Sequence, residues 1–465
     1  MLSLLLALSG ALQVDFDAHF TGRSLRFDYS HTGTADEEHI ALDRFRLEGQ
    51  WSGSRVHLID DTNLGKYLFC VVDPRTNRTL YSRGFSSIYG EWETTAEARD
   101  RWGIFHESQR LPEPKRPVQV LLKKRGPDGS FQEFYSTVVD PQNRFVDRSE
   151  VAGLGETWKW QYAGPPATKV DLLIVAEGYT ADQKDKFQAD VDRLASTLFE
   201  TEPFKERRTD FNVRLLFVPA AAAGISNPRA GIWRDSPFGL SFNAFDSDRY
   251  VLTYDNQTLR EAAAQVPYDA LILMFNDRKY GGGGIYNLWS TCAADSKPAP
   301  YLIVHEFGHS FAGLADEYYT SQVSYEGFTA AGTEPWEPNA TALLDPERLK
   351  WRDLVADGTP IPTPWSQAAY DDASYAYQKK RTKLRADGAS EADMEALFDE
   401  VKAITKPMLE NEKHASEVGA FEGAGYQAKG LYRPEADCIM FTRNPKDFCR
   451  VCSRAIERVI DLYAE

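Results

Sequence analysis

Three apolar runs without strand-like alternation constrain this chain most: "VDLLIVA" at 170–176, "NVRLLFV" at 212–218 and "YDALILMF" at 268–275. A strand with one wet face alternates apolar and polar residues. A run that does not alternate is covered on both faces, as in a parallel sheet flanked by helices. Between the first two runs lies "GYTADQKDKFQADVDRLASTLF". There Thr180 and Gln183 form a capping-box pair, and Phe187, Val191, Leu194 and Leu198 share one helical face. Strand, helix, strand, strand opens an α/β domain.

The first third of the chain follows another pattern. "SLRFDYS" alternates, "YLFCVVDPRTNRTLYSRGF" is two apolar runs around a turn, and "VQVLLKKRGPDGSFQEFYSTVV" is two runs around Gly-Pro-Asp-Gly. Short β-rich runs bounded by turn residues predict antiparallel hairpins and a sandwich. The composition shifts through "GLGE" and "AGPPATK" near 150–168, a domain boundary. The expected organisation is α+β and multidomain: a β-sandwich over 14–150, then an α/β domain over 165–465. A length of 465 residues suits two or three domains. In the sandwich, His39 and His57 read as surface residues, and nothing there looks catalytic. Pro-rich pieces over 320–430 predict loops around one helix at 391–406, capped by Ser390. The end, "NPKDFCRVCSRAIERVIDLY", predicts a helix capped at Asn444 with Pro445 in its first turn and a buried stripe from Phe448 to Ile460.

A net charge of -16 repels phosphate backbones and argues against nucleic-acid binding. There is no long basic run beyond the short "QKKRTKLR" at 378–385. "MLSLLLALSGALQ" reads as a secretory signal over 1–13, with cleavage near Gly10 or Leu12; a buried N-terminal strand is the other reading. Its apolar core is too short to span a bilayer, and no other run is long enough.

The chemistry concentrates in "YLIVHEFGHSFAGLADEYYT" at 301–320. His305 and His309 stand at i and i+4 on one helical face, where two imidazoles can share one Zn²⁺. Glu306, one position round, can reach water at the metal's open fourth position. Gly313 can end the helix in a left-handed turn and bring the chain back beneath the metal. Asp316, the first acid after that turn, is the preferred third ligand, and Glu317 is the alternative. A structural zinc is usually closed by four protein ligands rich in cysteine, so a glutamate beside an open position favours catalysis.

"HEFGHSFAGLADEYY" resembles the signature of the IgA-peptidase family of bacterial zinc metallopeptidases. "EPWEPN", "GTPIPTP", "FEGAGY" with "KGLYRP", and "DCIMFTRNPKDFCRVC" are similar to further parts of that family, and the β-rich region resembles its accessory domain. The broader similarity is to metzincins. One extra residue lies between His309 and Gly313, and an acid stands where those enzymes have a third histidine. The resemblance implies a metzincin-like catalytic domain, a zinc cofactor and a methionine turn, for which "DCIMF" offers Met440. Tyr318, Tyr426 and Tyr432 are candidates for stabilising an oxyanion. "KYGGGGIYN" at 279–287 is either a cleft-lining strand whose glycines admit substrate or a flexible loop. Of five cysteines, Cys438, Cys449 and Cys452 crowd together. A disulfide from Cys438 to Cys449 or Cys452 is expected in a secreted chain, with a thiol metal site that adds Cys292 as the second reading.

The expectation is a bacterial zinc endopeptidase, secreted, periplasmic or on the cell surface, acting on protein or glycoprotein. A glycopeptidase acting on mucin-like glycoproteins and a non-catalytic adhesin that keeps the fold are the alternatives.

Overall fold

The computed structural model describes residues 13–151, 153–320, 332–444 and 447–465. Residues 1–12 of the expected signal segment lie outside them, as does Pro445. Among the described residues no helix is long and apolar enough to cross a membrane.

The N-terminal region is two four-stranded sheets. One orders β5 (Gly103–Pro114), β1 (Phe20–Gly33), β2 (Glu38–Gln50) and β8 (Val146–Asp147). The other orders β4 (Arg78–Phe85), β3 (Tyr67–Asp73), β6 (Val118–Arg125) and β7 (Phe131–Val139). All neighbours are antiparallel except β2 and β8. Phe27, Phe45 and Leu111 from the first sheet and Phe69, Val120 and Leu122 from the second share one buried core, so the sheets face each other as a sandwich. Both hairpins expected from sequence form, as β3–β4 and β6–β7. His39 and His57 are exposed.

His31, in contrast, is buried between two carboxylates. Its Nε2 lies 2.7 Å from Glu38 Oε1 and its Nδ1 2.9 Å from Glu107 Oε2, with the Tyr89 ring stacked at 4.1 Å. Burial alone would lower its pKa, but Glu107 and Glu38 outweigh burial and raise it to about 9. The charged form is favoured in the folded state. Its stabilisation is therefore complete below pH ~6.5 and is lost as pH rises through about 9. The unfolding free energy should fall between pH 6 and pH 9.5 by on the order of 3 kcal/mol from this group, and His31→Gln should flatten that fall. Equal pH dependence in both proteins would contradict this.

The second region is built on a six-stranded sheet, ordered β13 (Gly282–Ile285), β14 (Trp289–Ala293), β12 (Ala270–Phe275), β10 (Val170–Glu177), β11 (Phe211–Phe217) and β9 (Glu156–Gln161). The four inner strands are parallel and both edges are antiparallel. The three apolar runs are β10, β11 and β12, and every residue of β10 and β11 is buried. The stretch at the expected domain boundary, 150–168, contributes β9, which pairs with β11 and extends this sheet. The helix Lys184–Leu198 buries Phe187, Val191, Leu194 and Leu198, and Thr180 N–H donates to Gln183 Oε1 at 3.1 Å.

Two expectations are corrected. The region 320–430 holds a helical pair, Gln367–Ala386 and Glu391–Glu410, and the hairpin of β15 (Phe421–Ala424) and β16 (Gln427–Arg433). The last helix starts at Arg450, capped by Cys449, whose Sγ accepts from Cys452 N–H. Asn444 does not cap it; its side chain donates to Asp437 instead, at 3.2 Å.

Candidate active site

The helix Ala299–Ala312 lies over β13 and β14 and ends at Gly313, with φ 61° and ψ 31°. Its apolar residues Leu302, Ile303, Phe307 and Phe311 join the main core, which leaves His305, Glu306 and His309 to line a cleft of about 380 Å³. Gly313 turns the chain back, and Asp316 arrives beneath the two imidazoles. His305 Nε2 and His309 Nε2 are 3.1 Å apart, and Asp316 Oδ1 is 3.0 and 3.3 Å from them.

These atoms repel one another unless a cation lies between them. His309 Nδ1 lies 2.6 Å from the Leu314 carbonyl, and His305 Nδ1 lies 3.1 Å from the Ile439 carbonyl and 3.0 Å from the Tyr301 hydroxyl. With Nδ1–H donating to those carbonyls, each Nε2 presents a lone pair. Asp316 Oδ1 is buried and has no hydrogen bond of acceptable geometry. Edges of 3.0–3.3 Å match the ~3.3 Å expected of a tetrahedron with 2.0–2.1 Å bonds. The donor set of two imidazoles and one carboxylate therefore fits zinc.

Glu306 stands outside this three-donor group, with its side chain along β13: a Cβ built on Gly282 would lie 3.2 Å from Glu306 Cγ. Burial pushes its pKa upward. Glu317 points away, buried against Cys452 and Asn339. Of the tyrosines, Tyr426 donates to the second oxygen of Asp316, Tyr318 faces the cleft, and Tyr432 does not line it.

Backbone contacts converge beneath these residues. Glu317 N–H donates to the Met440 carbonyl at 2.9 Å, Gly425 N–H to the Asp316 carbonyl at 2.9 Å, and Tyr426 N–H to the Tyr318 carbonyl at 3.0 Å. Met440 is fully buried in a tight turn closed by the N–H groups of Phe441 and Thr442 on the Cys438 carbonyl. Asn339 of "EPWEPN" clamps Ala315 through its backbone N–H at 2.7 Å and carbonyl at 3.0 Å.

"KYGGGGIYN" contributes strand β13 rather than a loop, and its glycines first serve the helix. A Cβ on Gly284 would lie 2.3 Å from the Glu306 carbonyl oxygen and 2.9 Å from His309 Cβ. Gly284→Ala must push the helix off the sheet, at a cost of at least ~1–3 kcal/mol. We expect a lower thermal midpoint together with reduced turnover; an unchanged midpoint would contradict the contact.

Several cleft residues carry no motif. Ser86, Gly90, Glu91 and Thr94, from the N-terminal region, form one wall, although sequence suggested nothing catalytic there. Glu91 accepts from the Tyr250 hydroxyl, and burial pushes its pKa up to about 7. The opposite wall includes Tyr377, Arg381 and Phe398 of the helical pair. Arg443 lies over Phe398 at 4.2 Å and Tyr280 at 4.6 Å and pairs with Glu395 at 3.1 Å. The short basic run at 378–385 was the available signal for Arg381.

An α/β sheet with a metal-compatible triad and a neighbouring glutamate in its edge cleft defines a class, and comparison with known families names it as peptidase. Residues 159–460 match IgA Peptidase M64 and residues 15–136 match the Peptidase M64 N-terminus. The chain belongs to the IgA peptidase M64 family. A search of curated proteins found no match.

Proposed function

We propose that this peptidase is a secreted, zinc-dependent endopeptidase in which His305, His309 and Asp316 hold the metal and Glu306 is the general base. The observation that carries the reading is the convergence of three acceptor atoms within 3.3 Å beside a glutamate that is not one of them. Zinc held there supplies Lewis-acid polarisation of a water molecule and of the scissile carbonyl. Glu306 takes a proton from the attacking water and returns it to the leaving amine. The Leu314 and Ile439 carbonyls fix the imidazole tautomers, and Tyr426 holds Asp316. Of the three candidate tyrosines, Tyr318 lines the cleft and Tyr426 is engaged with Asp316, which leaves Tyr318 as the candidate donor to a developing oxyanion.

Substrate would lie along β13. Gly282 turns its N–H and carbonyl outward, where they pair with Arg249 and Val251. Gly284, two residues on, presents its own pair of groups to the same edge, where an extended substrate backbone can add. The domain reading is an accessory sandwich over 14–150 and a metzincin-like catalytic domain over 165–465, extended at its front by β9. Gly313 and Met440 are supporting residues.

The aromatic lining, including Tyr250, Tyr280, Tyr286 and Trp336, favours glycopeptidase activity as the second reading. A mass-spectrometric cleavage map of the purified chain on a plain protein and on a mucin tests both. Cuts in both substrates support the endopeptidase, and cuts only beside glycans support the glycopeptidase. No cut in either, from zinc-loaded protein, would favour the adhesin.

A further inference from the structure

Glu317, Cys438, Cys449 and Cys452 form a second cluster. One ligand atom from each lies within 4.8 Å of the others, and all four residues are buried, Glu317 and Cys452 completely. Cys438 Sγ and Cys452 Sγ are 3.9 Å apart, and Cys452 Sγ is 3.3 Å from Glu317 Oε1. A tetrahedron with 2.3 Å Zn–S bonds has S···S edges of ~3.8 Å, whereas a disulfide needs about 2.05 Å. Cys449 N–H points at Cys438 Sγ at 3.3 Å and Cys452 N–H at Cys449 Sγ at 3.4 Å. Backbone N–H groups thus donate to two of the three sulfurs. Glu317 Oε2 is buried without a hydrogen bond, and Asn339 Nδ2 holds Oε1 at 2.9 Å. An unpaired carboxylate oxygen among sulfurs is costly unless a cation meets it. Cys292, in β14, takes no part; its thiol faces the carbonyl of Ala299 at the start of the active-site helix.

We propose that these four side chains bind a second, structural zinc ion, closed by three thiolates and one carboxylate. Soft sulfur donors in a four-ligand shell select zinc among abundant divalent ions, and closure leaves no position for substrate. Cys449 and Cys452 have the two-residue spacing common in structural zinc sites. The ion would join three segments: the return loop after Gly313, the turn carrying Met440, and the last helix. Glu317 is next to Asp316, and Cys438 precedes Ile439, whose carbonyl lies against His305. The second zinc would thus hold the first site's ligands in register. A disulfide between two of the three cysteines would leave the third thiol unpaired and Glu317 Oε2 still unmet.

X-ray absorption at the zinc edge, on purified full-length protein, tests this together with metal counts. The expected result is about two zinc ions per chain and a sulfur shell at ~2.3 Å. The double variant His305→Ala/His309→Ala should keep about one zinc, now with a mainly sulfur shell. That outcome is independent of the catalytic proposal: sulfur-bound zinc without a nitrogen-bound one would sustain this site while refuting that reading. A zinc spectrum with only nitrogen and oxygen neighbours would overturn the proposal. So would a Cys438 peptide cross-linked to Cys449 or Cys452 in native protein, or three free thiols in metal-free folded protein. The wild-type spectrum and thiol map decide the proposal even where the double variant fails to fold.

Discussion

Glu306→Ala is expected to keep its triad-bound zinc and lose at least ~10²–10⁴ in turnover, the usual worth of a positioned general base. The separation follows from geometry. Glu306 shares a helix with His305 and His309 but leaves the donor group, lying along Gly282 instead. Removing its carboxylate leaves the three atoms at 3.0–3.3 Å untouched. Zinc content and kcat on one protein substrate, measured on the same preparation, check this. A Glu306→Ala variant as active as wild type would dismiss the base assignment.

The second large effect divides two neighbouring acids. His305→Ala, His309→Ala and Asp316→Ala should each lose the triad metal and, with it, activity, since each removes one of three protein donors. Glu317→Ala should leave the triad's own donors in place, because its side chain faces Asn339 and Cys452. The nitrogen shell at the zinc edge is the readout. If Glu317→Ala loses that shell while Asp316→Ala keeps it, the third ligand has been misassigned.

Sequence spacing was enough for the parts of this site set by local geometry. Histidines four apart meet because of helical pitch, and Gly313 adopts the left-handed conformation that its place after Ala312 suggests. The apolar runs marked β10, β11 and β12 because strands covered on both faces cannot alternate. Choosing between Asp316 and Glu317 was harder. Consecutive residues point to opposite sides, and the direction depends on distant contacts: Gly425 and Tyr426 on the Asp316 segment, Met440 beneath Glu317. The helix Gln367–Ala386 has no apolar stripe for a sequence to show, because it buries little beyond Tyr370, Ser374 and Arg381. Glu91 was illegible for another reason: it reaches the cleft from the sandwich region, a contact that no local pattern encodes. Glycines suggesting room for substrate proved to be needed first by the helix backbone at Glu306.

Peptide hydrolysis should depend on a metal held by His305, His309 and Asp316. An anomalous diffraction map at the zinc edge, from crystals of protein proven active on a peptide substrate, tests it most directly. The account predicts a peak ~2.0–2.2 Å from His305 Nε2, His309 Nε2 and Asp316 Oδ1, with Glu306 outside bonding distance. An active preparation with no metal at that point would contradict it.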